Sequence, residues 1–245
     1  MTSVTRPIRR PRLSSWGLKV VMAVTGLIWV AFVLIHLFGN LKVFLGPESF
    51  NTYAFWLREA LYPLLPKQSL LWLTRVVLAL ALVAHVAAGT ILWLRGRKGG
   101  GKKSRIALRD RARAGKSTVQ SLSATLMPFT GAIILVFLIF HLLDLTVGWA
   151  PFAPIQFEGQ GIETSSAYAN MIASFSRPPV AFLYSLTMVL LSLHVWHGVE
   201  TAAQDLGAMG YRLRTAAAWV AGLAAIAILL GNGAIPLLVQ AGVLS

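Results

Sequence analysis

The residues best suited to chemistry in this chain are its five histidines, all within or at the edge of apolar stretches long enough to cross a membrane. An imidazole is costly to bury in hydrocarbon without a partner, so a histidine inside a span is a candidate functional residue. Histidines on several helices, in a chain without cysteine, favour paired axial ligation of haem iron over thiolate chemistry. The five are His36, His85, His141, His194 and His197.

The elements that must position these histidines are membrane helices. Of the 245 residues, 56% are hydrophobic and only 12% are charged, which leaves too little polar surface for a soluble domain of this length. Backbone polar groups in lipid must be satisfied within their own segment, so the apolar runs are predicted to be helices. We expect a single membrane domain over residues 1–245, an all-α bundle of five transmembrane helices. The predicted spans are residues 18–38, 70–94, 119–143, 180–199 and 216–238.

The distribution of Lys and Arg predicts the direction of each span. A basic arm, residues 1–17, and a basic loop, residues 95–116, carry most of the 22 cationic side chains. Such side chains accumulate in cytoplasmic loops, so we expect a multi-pass protein of the cell membrane with a cytoplasmic N-terminus and an external C-terminus. The loop is interpreted as topogenic, with docking of a soluble partner as the alternative. No nucleic-acid partner is expected, because no recognition module accompanies the net charge of +14.

Position along a span converts to depth, because an α-helix rises about 1.5 Å per residue. His36 and His141 then share a level near the outer boundary, and His85 and His194 share a level in the cytoplasmic half. Two levels with two histidines each predict two stacked bis-histidine haems. The span 216–238 has no histidine and is expected to pack at the periphery. The alternative is that the histidines only form hydrogen bonds between helices.

Two glycines and two arginines are candidates to contact the haems. Gly89 and Gly198 each follow an inner histidine by four residues, on the same helix face, and would leave room for a flat macrocycle. Ordinary small-residue packing is the alternative. Arg75 and Arg177, at the outer ends of their spans, could pair with propionates of the outer haem or snorkel to the interface.

Two further polar residues lie close to predicted ligands. His197 follows His194 by three residues, so either could ligate, and the other could contact a propionate or cap the helix. Asp144 lies one turn beyond His141 and is a candidate for quinone or proton chemistry, although an acid at a helix end is usually solvated.

The segment 193–207, LHVWHGVETAAQDLG, resembles the fourth span of the cytochrome b subunits of five-helix, di-haem succinate dehydrogenases and fumarate reductases. The resemblance covers the whole chain, with five spans and one histidine on each of the first four. It implies that His85 and His194 hold a proximal haem, nearer an iron–sulfur subunit, and that His36 and His141 hold a distal haem. Gly207 matches the glycine that ends this span in the family, which favours His194 as the ligand over its neighbour three residues on.

The resemblance implies a membrane anchor with two b-type haems. A flavoprotein subunit would oxidise succinate, so no catalytic residue is expected in this chain, and an iron–sulfur subunit would dock on the cytoplasmic face. Electrons would pass to the proximal haem, the distal haem and then a quinone, with menaquinone expected, near the outer side. The chain departs from the family at Ser192, where some members carry a glutamate implicated in proton movement. That departure puts such a proton route in doubt.

Two other functions stay open. The membrane subunits of nitrate reductases, formate dehydrogenases and hydrogenases are also di-haem cytochromes b, and only the segment 193–207 argues against them. A haem-free transporter or anchor is the second alternative. Transporters usually contain broken helices and internal repeats, and no convincing repeat is expected in this chain.

Overall fold

The computed structural model describes residues 14–99, 118–159 and 166–245. Regular structure in these ranges is helical throughout, and five of the helices are long and apolar enough to span a membrane. The prediction of an all-α, five-span protein is thereby confirmed. Residues 1–13 of the basic arm and 100–117, which include most of the basic loop, lie outside the described residues.

Four of the five long helices extend past the apolar spans that predict them, and the helix at residues 118–142 matches its predicted span, 119–143, within one residue at each end. Shorter helices, α2 and α5, lie in the first and third connections, and a π-helical turn over Leu143–Val147 directly follows α4. The helices are α1 (Ser15–Asn40), α2 (Gly46–Glu59), α3 (Ser69–Gly99), α4 (Thr118–Leu142), α5 (Ala167–Phe175), α6 (Pro178–Asp205) and α7 (Tyr211–Gln240).

Local sequence explains where the helices begin and end. The Ser14 hydroxyl accepts a hydrogen bond from the Gly17 amide at 3.0 Å, which caps the first turn of α1. Pro178 lies in the first turn of α6, where its missing amide proton breaks no helical bond. Gly207 has a φ of +102° just after α6, a conformation that glycine adopts without strain. The glycine predicted to end this span therefore does so.

Four of the long helices form a ring. α1 packs against α3 and α6, α4 packs against α6, and α3 touches α4 at a few residues. Within the described ranges, α1 and α4 therefore lie on one diagonal of the ring, and α3 and α6 lie on the other. All four predicted ligand histidines are on these helices, and each predicted pair spans a diagonal.

The last span, α7, is not peripheral, and that prediction was wrong. Its contact with α6 is the most extensive helix pair in the described chain, and it also packs against α1. Ala221 and Ile228 of α7 are completely buried. Small residues let its backbone approach its neighbours closely, which is how membrane helices associate without a hydrophobic driving force. A helix without histidine can still be central to packing.

An apolar cluster closes the end of the bundle at which α2 and α5 lie. It includes Val43, Tyr168, Phe175, Tyr184 and Ile235, which come from three different helices and the turn after α1. This cluster joins the short helices to α6 and α7, so it fixes the surroundings of the histidine level nearest to it.

Candidate functional site

His36 of α1 and His141 of α4 meet across the bundle. Their ring centroids are 6.0 Å apart and their ring planes are inclined by 78°. A metal–imidazole bond is about 2 Å long and ends about 1 Å from the ring centre, so two imidazoles on opposite sides of one metal have centres about 6 Å apart. The observed separation fits two axial ligands of a single iron.

A phenylalanine one helical turn earlier stacks on each of these rings. Phe32 stacks on His36 with centroids 5.5 Å apart, and Phe137 stacks on His141 with centroids 6.0 Å apart. Residues four apart share a helix face, so each stack restricts its imidazole to one direction. The surroundings of the outer pair are therefore aromatic and apolar.

The Nδ1 atom of His141 is held by Tyr184 of α6, at 3.3 Å from the phenol oxygen. The same phenol donates its proton to Oδ2 of Asp144 at 2.8 Å. Because a phenol has one proton to donate, its oxygen can only accept from the imidazole, which places the proton of His141 on Nδ1. The Nε2 lone pair is then directed away from Tyr184 and can bind a metal.

Asp144 is completely buried, so it is not the solvated helix-end acid that is common at such positions. The Ser174 hydroxyl donates to Oδ2 at 2.5 Å. The guanidinium of Arg177 donates through Nη2 to Oδ1 at 2.5 Å and through Nη1 to the Phe152 carbonyl at 2.6 Å. This cluster joins the π-helical turn to α5 and to the start of α6.

The two predicted propionate partners occupy different surroundings. Arg177 is engaged by Asp144, whereas Arg75 lies over the ring of Trp72 with 5.0 Å to its centroid. Trp72 is exposed, which is the usual position of an aromatic residue at the membrane interface. A propionate contact for either arginine stays a prediction.

His85 and His194, the pair predicted to form the inner level, are held in the same way, each by a neighbouring helix. His85 Nδ1 lies 3.1 Å from the Met22 carbonyl and 3.3 Å from the Thr25 hydroxyl, both on α1. His194 Nδ1 lies 3.0 Å from the Thr130 hydroxyl on α4. A carbonyl oxygen only accepts, so the proton of His85 is on Nδ1.

Thr130 engages the same atom of His194. The Thr130 hydroxyl lies 3.0 Å from His194 Nδ1 and also reaches two carbonyls of its own helix, those of Leu126 at 3.2 Å and Met127 at 3.1 Å. In both His85 and His194 the partner occupies Nδ1 and leaves Nε2 to ligate, which is how a metal-binding histidine is usually oriented.

The glycines closest to the inner rings are ones that the sequence interpretation missed. A Cβ atom added at Gly26 would lie 3.1 Å from Cε1 of His85, and one added at Gly131 would lie 3.4 Å from Cε1 of His194. The predicted glycines have more space. A Cβ at Gly89 would meet only the Met22 sulfur, at 3.8 Å, and one at Gly198 would meet nothing within 4 Å.

These contacts reveal an internal repeat. α1 and α4 both contain the pattern Met-x-x-Thr-Gly-x5-Phe-x3-His, ending at His36 and at His141. α3 and α6 both contain His-Val-x-x-Gly, beginning at His85 and at His194. The expectation of no repeat was wrong. The repeat is hard to see in the sequence because its matching residues are dispersed among apolar residues that differ between the two copies. Transporters usually contain internal repeats, so the expected lack of a repeat no longer argues against a transporter.

The repeat separates the two histidine levels by a fixed distance. Thr130, which contacts His194, precedes His141 by eleven residues on α4, and Tyr184, which contacts His141, precedes His194 by ten residues on α6. At about 1.5 Å per residue the levels are about 15 Å apart along the bundle. The repeat thus gives two histidine levels along the bundle, and their use as two haem sites stays a prediction.

The remaining predicted site residues lie on α6. His197 is partly buried one turn beyond His194, and its role stays a prediction. Ser192 is buried and donates to the Met188 carbonyl of its own helix at 2.8 Å. No described residues bring three metal-ligating side chains together. Two imidazoles per site suit a cofactor that supplies its own equatorial ligands, as haem does.

Comparison of the chain with protein-family models, with curated proteins and with solved structures found no match.

Proposed function

We propose that this chain is the di-haem cytochrome b subunit that anchors a succinate dehydrogenase to the cell membrane and carries electrons from its iron–sulfur subunit to a quinone, with menaquinone the expected acceptor. The observation that carries the haem part of the proposal is the pair formed by His36 and His141. Their rings approach across a diagonal of the bundle at a spacing suited to one iron between them.

The second support is that Nδ1 has a hydrogen-bond partner in three of the four rings. His85, His141 and His194 each have Nδ1 bonded to a group on a different helix. A histidine that merely joined two helices would be satisfied by that bond. A partner at Nδ1 orients each ring and leaves Nε2 to bind a metal, as a set of metal ligands requires. The repeat creates two equivalent levels of such rings.

The work of this chain in the proposed function is binding and insulation. Its imidazoles would hold two b-type haems, each of which supplies a one-electron carrier when bound. The apolar walls around the rings exclude water, which keeps the local dielectric low and adjusts the redox potential. The separation of about 15 Å between the levels leaves them close enough to belong to one electron path across the bilayer.

The succinate part of the proposal is supported by the segment 193–207 and by the charge distribution. The basic arm and the basic loop would face the cytoplasm, where a flavoprotein and an iron–sulfur subunit dock. The inner level, His85 and His194, would then be proximal to that docked subunit, and His36 and His141 would be distal.

Haem stoichiometry tests the first part. We expect the purified protein to bind about two haems per chain, with a b-type α-band in the reduced-minus-oxidised spectrum and a matching pyridine haemochrome. His85→Ala and His194→Ala should each abolish the same haem, and His36→Ala and His141→Ala the other. Loss of the same haem from the His36 and His85 variants would refute the pairing, and fewer than one haem per chain would refute the function.

Activity of the native complex tests the second part. Purification of this chain from membranes should bring a flavoprotein and an iron–sulfur subunit with it, and the complex should reduce a menaquinone analogue with succinate. Two haems per chain that are reduced by formate or hydrogen, or oxidised by nitrate, and that do not respond to succinate would assign the chain to another membrane oxidoreductase.

A further inference from the structure

We propose that Tyr184, polarised by buried Asp144, positions His141 and lowers the redox potential of the haem that His141 would ligate. This inference rests on the proposed function, because it concerns one of its ligands. Tyr184 touches no reacting atom, so its role is that of a positioning residue.

Tyr184 is held in place by the aromatic rings around it. Only 5% of its surface is exposed, and its ring packs between Phe137 and Phe175 with centroid distances of 4.9 and 4.8 Å. A third ring, that of Phe140, lies 6.0 Å away. A phenol enclosed by three aromatic rings has little freedom to turn, so its oxygen stays aimed at His141.

The hydrogen bonds that link His141, Tyr184 and Asp144 run in one direction. The imidazole Nδ1–H donates to the phenol oxygen, and the phenol donates to the carboxylate of Asp144. A phenol that donates to a carboxylate becomes a better acceptor, since hydrogen bonds in a chain polarise one another. His141 therefore donates to a more negative oxygen than a free phenol would present.

The acceptor at Nδ1 of His141 would change the redox potential of the iron that this residue would ligate. An acceptor at Nδ1 raises the basicity of the ligating Nε2, and a more basic ligand favours the oxidised metal over the reduced one. Arg177 compensates the net charge of Asp144, so the effect on His141 passes through the hydrogen bonds and is confined to one ligand. The threonine hydroxyls behind His85 and His194 donate only to neutral backbone carbonyls, which polarise them less.

The test is a potentiometric titration of the haems in the complete complex. Tyr184→Phe keeps the ring and removes the hydroxyl, so the midpoint potential of one haem should rise while the other is unchanged. The haem that shifts should be the one absent from His36→Ala. The matched control is Tyr168→Phe, because the Tyr168 hydroxyl is also partly buried but bonds to the Ser245 carbonyl at 3.0 Å and should move neither potential.

A second variant keeps Tyr184 intact. Asp144→Asn retains an acceptor of similar shape but removes the negative charge that polarises Tyr184 and balances Arg177, so the potential of the same haem should again rise. No shift in Tyr184→Phe, or equal shifts of both haems, would overturn the inference while leaving the proposed function standing. A protein that binds no haem would overturn both.

Discussion

At the scale of single residues, the two inner histidines differ in how many groups hold Nδ1. His194 has the Thr130 hydroxyl, whereas His85 has both a threonine hydroxyl and a backbone carbonyl. Thr130→Val should therefore weaken the inner haem more than Thr25→Val does, because only the first variant leaves its imidazole without a hydrogen-bond partner at Nδ1. Loss of such a partner typically lowers metal affinity by about 10- to 100-fold.

This difference is measured by titrating haem into the apoprotein and following the α-band. Thr187→Val is the matched control, since Thr187 is buried on α6 and its hydroxyl bonds only to the Leu183 carbonyl at 2.8 Å. Equal losses in all three variants would mean that the threonines support packing rather than the ligands.

The identity of these partners was beyond the sequence interpretation, although the histidines themselves were not. A histidine in a span is conspicuous because it is polar, whereas Thr130 and Tyr184 are common residues that satisfy themselves on their own helix or at an interface. The repeat around Gly26 and Gly131 could have drawn attention to Thr130, whereas Tyr184 lies outside it. Asp144 was a candidate for quinone or proton chemistry, with solvation at the helix end as the alternative. Its burial by α5 and α6 is a tertiary effect that spacing along α4 does not predict.

At the scale of elements, α7 affects the outer site although it has no ligand. A Cβ atom at Gly231 would collide with the Leu37 side chain, which directly follows His36 on α1. Gly231→Val should therefore push α1 away, at a cost of about 1–3 kcal/mol for overpacking, and should deplete the haem bound by His36 before the inner one. Haem content and the two midpoint potentials of the purified variant would show this order of loss.

The control for that variant is on the same helix. A Cβ at Gly222 meets nothing within 4 Å, so Gly222→Val adds the same side chain without contact and should leave both haems in place. Equal depletion by the two variants would show that the helix tolerates no β-branched residue, and would remove Leu37 from the explanation.

The turn after α4 depends on a single buried ion pair. Asp144→Ala would leave the Arg177 guanidinium and the Ser174 and Tyr184 hydroxyls without their shared acceptor. Removing one partner of a fully buried pair costs about 3–5 kcal/mol. Because the Arg177 side chain is 30% exposed, the loss should lie toward the lower end of that range, and thermal unfolding in detergent should begin at a lower temperature. Glu59→Ala is the comparison, because its ion pair with Lys67 at 2.7 Å is more than one third exposed on both sides, and exposed pairs contribute about 0–1 kcal/mol.

At the scale of the whole molecule, the sequence predicts the number of helices and the depth of each histidine but not the order of helices around the bundle. Run length and hydropathy determine α1, α3, α4, α6 and α7, because lipid leaves few alternatives for backbone hydrogen bonds. The neighbours of α7 are determined by the fit of small residues such as Ala221 against α6. Shape complementarity of this kind has no signal in charge or periodicity, which is why α7 was expected at the periphery.

The orientation of the whole bundle is the remaining prediction, and it decides which histidine level faces a docked partner. The ten Lys and Arg residues of the basic loop 95–116 should retain that loop in the cytoplasm. Alkaline phosphatase, which folds only outside, should be active when fused after residues 65, 155 and 243, and inactive after residues 105 and 208. Green fluorescent protein should show the reverse pattern.

The cause of this orientation can be tested in the same fusions. Replacing the cationic residues of 95–116 by Gln should reduce the contrast between the two reporters, whereas the same replacement at Lys42 and Lys67 should leave it unchanged. An active phosphatase after residue 105 in the native chain would invert the bundle. His36 and His141 would then lie nearer the cytoplasmic face. The docked iron–sulfur subunit would meet this pair, in which Tyr184 contacts His141, instead of the pair whose rings contact threonine hydroxyls.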